Sequence, residues 1–173
     1  MPKEHNRPNG GKCFERILKK FSLAYRFQTD ILSVRFMGVE VEDEDAALSI
    51  LYGLLEGISK ALCVDRGDIG GCLKWFYNKQ SHAPNYGFIF YDRTPGGAGH
   101  VRRLKDKETW EAVLRETLSL MLGCSCGGEK MDTSCYSCLR NYSNQHYHER
   151  LQRGYVVEFL RRVLGGHGSI ANV

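Results

Sequence analysis

Apolar and polar residues alternate along Leu32-Ser33-Val34-Arg35-Phe36, the period of a strand with one buried face. An acidic run from Glu40 to Asp45 follows, and acidic residues suit the positive end of a helix dipole. Leu48, Leu51, Tyr52, Leu55, Ile58 and Leu62 then recur at helical spacing, and Asp65-Arg66-Gly67 breaks the run. Leu73, Trp75 and Tyr77 alternate with Lys74, Phe76 and Asn78, which predicts a second strand. Pro84-Asn85 is expected to turn the chain. Phe88 to Tyr91 is apolar on both sides, as a central, covered strand would be.

Beyond a glycine-rich loop, Trp110, Val113, Leu114, Thr117, Leu118 and Met121 mark the inner face of a helix from about Lys107 to Leu122. A last helix is expected from about His148 to Leu164, carrying Leu151, Tyr155, Phe159, Leu160 and Val163. Leu18 to Tyr25 fits either a short helix or a lead-in strand. The pattern predicts an α+β fold, with a small, mainly antiparallel sheet of about three strands packed with three or four helices. The expected layout is a flexible segment over residues 1–13, a single domain over 14–164 and a flexible tail over 165–173. No internal repeat or low-complexity tract interrupts it.

Composition narrows the function classes without choosing one. A chain of 173 residues suits one domain and buries roughly two-thirds of its unfolded surface. With 42% hydrophobic and 25% charged residues it is ordinary for a globular protein. A net charge of +4 and a pI near 8.7 permit a nucleic-acid or acidic partner without demanding one. No apolar run approaches the ~18 residues of a membrane span. MPKEHNRPNGGK lacks the apolar stretch of a secretory signal, so a cytoplasmic location with no membrane partner is expected.

In a reducing cytoplasm, clustered cysteines point to metal or redox chemistry before disulfides. Four of the seven cysteines lie in CSCGGEKMDTSCYSC, as Cys124, Cys126, Cys135 and Cys138. Two residues between Cys135 and Cys138 let a turn aim both sulfurs at one point. Cys124-Ser125-Cys126 is tighter, and a backbone that is extended and then turned still converges it. Gly127 and Gly128 allow the intervening loop to fold back. Four thiolates would close a tetrahedron with no open position for a substrate water, which argues for a structural Zn2+ in a loop with four cysteine ligands. A pair of disulfides is the competing reading. His146 and His148 are expected to be exposed or hydrogen-bonded rather than ligating, and Cys13, Cys63 and Cys72 to pack as small hydrophobes.

The loop YDRTPGGAGHVRR follows a buried strand, a usual place for ligand loops. It matches neither phosphate-binding fingerprint: no Lys-Ser or Lys-Thr follows, and Arg102 stands where a third glycine belongs. One reading gives the glycines a conformational role only. The other makes Arg93, Gly97, Gly99, Arg102 and Arg103, with Arg140, a contact for an anion or a nucleic-acid backbone. Asp92 reads as a loop cap bonded to backbone N–H groups. The alternative is a small hydrolase-like site of Asp92, the Gly96 to Gly99 loop and His100. Arg150, Arg153, Arg161 and Arg162 form a basic side of the last helix, expected to be solvated, with a DNA-facing role as the alternative.

Two segments are more specific, YD-x3-GGAG from Tyr91 to Gly99 and C-x2-CLR-x-YSNQ from Cys135 to Gln145. With the strand and helix order upstream, the chain resembles the MrfA-type zinc-binding (MZB) domain over residues 20–164. The resemblance implies zinc at Cys124, Cys126, Cys135 and Cys138. It also implies an accessory, non-catalytic module working with a superfamily 2 DEAD/DEAH-box DNA helicase, in DNA repair or in DISARM-type anti-phage defence. The chain has no Walker A sequence, so the motor would be a partner subunit or another part of a longer protein, with direct DNA contact a further expectation.

Overall fold

The computed structural model describes residues 8–11, 24–79, 82–167 and 169–172. The expected boundary near residue 13, most of the Leu18 to Tyr25 segment, and Cys13 lie outside the described residues.

The fold is α+β. Strand β1 (Ile31–Met37) leads to helix α1 (Glu44–Leu62), and β2 (Ile69–Asn78) and β3 (Ala83–Asp92) form a hairpin. Helices α2 (Lys107–Gly123) and α3 (Arg153–Arg162) flank the cysteine segment, and β4 (Ser169–Asn172) closes the chain. The sheet is antiparallel in the order β2-β3-β1-β4. Pairing sets Leu32 opposite Phe90, Val34 opposite Phe88, and Gly71 and Leu73 opposite Phe90 and Phe88. Opposed residues share a face, so these side chains form one apolar surface.

Helix α1 lies over that surface. Asp43 caps it, its carboxylate accepting from the Ala46 N–H at 2.7 Å, with Glu44 and Asp45 in the first turn. At its other end Cys63 turns into the left-handed region, φ 53°, and its N–H returns to the Lys60 carbonyl. Most of α1 is buried, because α2, α3 and β2 pack around it. Its glycines set how closely they approach: a Cβ on Gly57 would stand 1.8 Å from Thr117 Oγ1 of α2, and one on Gly53 2.8 Å from Val156 of α3. Phe36, Phe88, Phe90, Trp110 and Phe159 join sheet and helices in edge-on and tilted contacts.

Three elements differ from those expected. Pro84 and Asn85 belong to β3 rather than to a turn. β1 pairs with β3 only over Phe88 to Tyr91, so the missing N–H of Pro84 interrupts no bond on that side. The last helix begins at Arg153, preceded by a 3-10 segment, Tyr142–Arg150, that starts in an Asn141/Asn144 capping box. The tail, expected to be flexible over 165–173, contains β4, whose Ile170 lies opposite Phe36. Trp75 and Tyr77 do alternate as a strand requires, but they are 70% and 57% exposed on edge strand β2.

Candidate metal centre

The polypeptide reaches the cysteine cluster through α2, which ends at Gly123, leaving Cys124 extended. Gly127 and Gly128, both at positive φ, reverse the chain. After Cys135 the chain turns tightly, with the N–H groups of Cys138, Leu139 and Arg140 all directed at the Cys135 carbonyl. Leu139, fully buried, faces Gly53 and anchors this turn to α1.

The four sulfurs converge. Cys124 Sγ lies 3.4 Å from Cys126 Sγ and 3.5 Å from Cys135 Sγ; Cys138 Sγ lies 3.7 Å from Cys126 Sγ and 3.9 Å from Cys135 Sγ. All four lie within 4.8 Å of one another, and all are free thiols rather than two disulfides. A tetrahedron with Zn–S bonds of ~2.3 Å has edges of about 3.8 Å, so the donor set has the chemistry and the spacing for zinc. The Cys135 N–H donates to Cys138 Sγ and the Ser137 N–H to Cys135 Sγ, stabilising sulfur in its anionic form. As free thiols, Cys135 and Cys138 would ionise unevenly. Burial pushes Cys138 up despite the Cys135 N–H. Burial also opposes ionisation of Cys135, but the Ser137 N–H and the neighbouring thiols outweigh it and bring that thiol down to about 7. A divalent cation bound at the four sulfurs would hold them as thiolates.

Neither nearby histidine joins the cluster. His146 is exposed. His148 directs Nε2 at the Asn141 carbonyl and at Asn144 Oδ1, and its ring meets Tyr136 edge-on. Asn144 is fully buried; its amide donates to the Leu139 carbonyl and its oxygen accepts from the Asn141 N–H. The sequence motif marks the family without revealing this role, although an Asn-x-x-Asn box is visible in NYSNQHYH. Arg153 was missed more completely. Expected on a solvated face, it is 3% exposed and bonded to three backbone carbonyls of the cysteine segment and α2. Arg150 is also engaged, paired with Glu44 and Asp45. Cys63 and Cys72, expected to be buried, are exposed.

The glycine loop is a separate structure. Asp92 is fully buried: Oδ2 accepts from the N–H groups of Ala98 and His100, and Oδ1 from that of Val101. The loop thus folds around its own carboxylate. Gly96, Gly97 and Gly99 all have positive φ, and a Cβ on Gly97 would lie 2.6 Å from Asp30 Oδ2. Gly97→Val is accordingly expected to destabilise the protein by about 2 kcal/mol or more, read as a lower urea midpoint; an unchanged midpoint would show that neither the φ nor the contact is required. Arg93, Arg102 and Arg103 are exposed beside this loop. Arg102 pairs with Asp30 at 2.8 Å and Arg103 donates to the Leu62 carbonyl at the end of α1. Arg140 lies apart from them in the cysteine turn, held by Ser134 Oγ and the His148 carbonyl.

Residues 50–139 match the family model of the MrfA Zn-binding domain, MZB. This chain belongs to the MZB family. Over 162 residues it is 28% identical to the Druantia protein DruE of Escherichia coli (strain UMEA 4076-1), a match covering 86% of this chain and 8% of that protein. The chain therefore spans less than a tenth of that relative. It is also similar to a chain in the crystal structure of the DUF1998 helicase MrfA bound to DNA, with a TM-score of 0.48 and 18% identity over 69% of this chain and 14% of that one. Among the described residues, no helix of this MZB domain is long and apolar enough to cross a membrane.

Proposed function

We propose that this MZB domain is a zinc-stabilised accessory module that works with a superfamily 2 DNA helicase and has no catalysis of its own. The observation that carries the reading is the convergence of four thiols at cation-sized spacing, in a segment whose Met131 and Thr133 carbonyls accept from the first N–H groups of α3. A tetrathiolate site is closed, so its metal would hold structure rather than activate water. Asp92, the strongest candidate base, already accepts three backbone N–H groups and serves as a scaffold. Cys124, Cys126, Cys135 and Cys138 are the proposed zinc ligands.

Two surfaces suit an accessory role. Trp75 and Tyr77 stand side by side on the exposed edge of β2, residue types that dominate protein-protein contacts. Arg93, Arg102 and Arg103, around Gly97 and Gly99, are exposed positive charges suited to a DNA-backbone contact, and Arg140 adds charge at the cysteine turn. DNA repair and anti-phage defence are the settings this reading favours, in the cytoplasm.

Purified with about one equivalent of zinc per chain, the protein is expected to co-elute with a superfamily 2 helicase from the same cells, and replacing Trp75 and Tyr77 with alanine is expected to weaken that association at least tenfold. Single-stranded DNA should bind with an affinity that falls as salt rises. A zinc-loaded protein that captures neither helicase nor DNA at low salt would overturn the reading.

A further inference from the structure

Arg153 opens α3 with its guanidinium turned inward. It is 3% exposed, yet among the described residues its charge meets no carboxylate within ion-pair distance. Instead Nε donates to the carbonyl of Cys126, a member of the thiol cluster, at 2.7 Å. Nη2 donates to the Gly128 carbonyl at 2.8 Å and Nη1 to the Met121 carbonyl at 3.2 Å. The Arg153 N–H reaches the Thr133 carbonyl, and the next N–H, of Gly154, reaches that of Met131. One residue therefore touches the end of α2, the glycine reversal and the return to Cys135.

Carbonyls satisfy the donors but leave a buried positive charge, which is costly without an anion nearby. Four thiolates around one divalent cation supply that anion, since their negative charge exceeds the charge of the ion. We propose that Arg153 is the charge partner and positioning residue of the metal centre. It offsets the excess negative charge of the tetrathiolate and orients Cys126 through its carbonyl, so that metal affinity depends on the cation at position 153. The inference rests on the zinc reading above. It explains why an arginine at the start of a helix is turned away from water.

Comparing Arg153→Lys with Arg153→Gln separates charge from shape. Zinc affinity would be measured by competition with a chromophoric chelator, and the charge-transfer band by loading cobalt(II). Arg153→Gln should bind zinc about 10- to 100-fold more weakly than the native chain, with a shifted cobalt-thiolate band. Arg153→Lys should recover a clear part of that affinity, because it restores the charge. Circular dichroism of each zinc-loaded variant reports folding independently. Equal losses in the lysine and glutamine variants would overturn the inference, because a purely structural fork would fail in both. Native affinity and an unshifted band in Arg153→Gln would overturn it as well. A native protein that takes up neither zinc nor cobalt would instead overturn the zinc reading beneath it.

Discussion

Cys138→Ser is expected to release the metal and melt the segment from Cys124 to Leu151. Cys138 is the most buried of the four thiols, and its sulfur faces both Cys126 and Cys135 at ligand spacing. A serine hydroxyl is a poor fourth ligand and leaves a polar group where sulfur had been. Structural zinc contributes on the order of 10 kcal/mol to ordering a small site, so losing it exceeds any single packing defect elsewhere in this fold. Leu139 would lose its fixed position against α1, and Arg153 would lose the anion proposed to balance it. Metal analysis should fall from about one zinc per chain to near zero. Limited proteolysis should then cut between α2 and α3 first. A variant that keeps a full equivalent of zinc and the native melting temperature would show that three thiols suffice and that the fourth only packs.

Asp92→Ala carries the second largest effect. Its carboxylate is wholly enclosed and holds three N–H groups of the glycine loop. Removing it orphans those donors, and each unsatisfied buried donor costs roughly 1–3 kcal/mol. The loop also abuts Asp30, and the Gly96 N–H reaches the Gln28 carbonyl ahead of β1, so the disturbance reaches the start of an inner strand of the sheet. Urea denaturation should show a loss of about 3 kcal/mol or more, with Asp92→Asn intermediate because one amide oxygen can still accept. If Asp92→Ala unfolds at the native midpoint, the carboxylate is not the keystone of the loop.

The regular elements were legible in the chain because their signals are local. The alternation around Val34 and the spacing from Leu48 to Leu62 each need only neighbours a few residues apart, and both appear as β1 and α1. The inner face of α2 was legible for the same reason, from Trp110 to Met121. At the hairpin the alternation located the strand but not its surroundings. A period of two says which residues share a face; it does not say how much of that face is covered, and Trp75 and Tyr77 are exposed. The Asp92 cap was legible as a residue type at a strand end, whereas its three donors became known only from the path of the loop.

By itself the sequence determined the thiol spacing, the helical and strand periods, and the glycines that let two turns reverse. All of these act through bonds and contacts within about fifteen residues. Tertiary structure alone decided that Arg153 points inward, that Asn144 and His148 brace the turn after Cys138, and that β4 pairs with β1. Each of those outcomes depends on which carbonyls and strand edges remain unpaired once distant segments meet, and a buried donor or charge takes the partner that the completed fold leaves open.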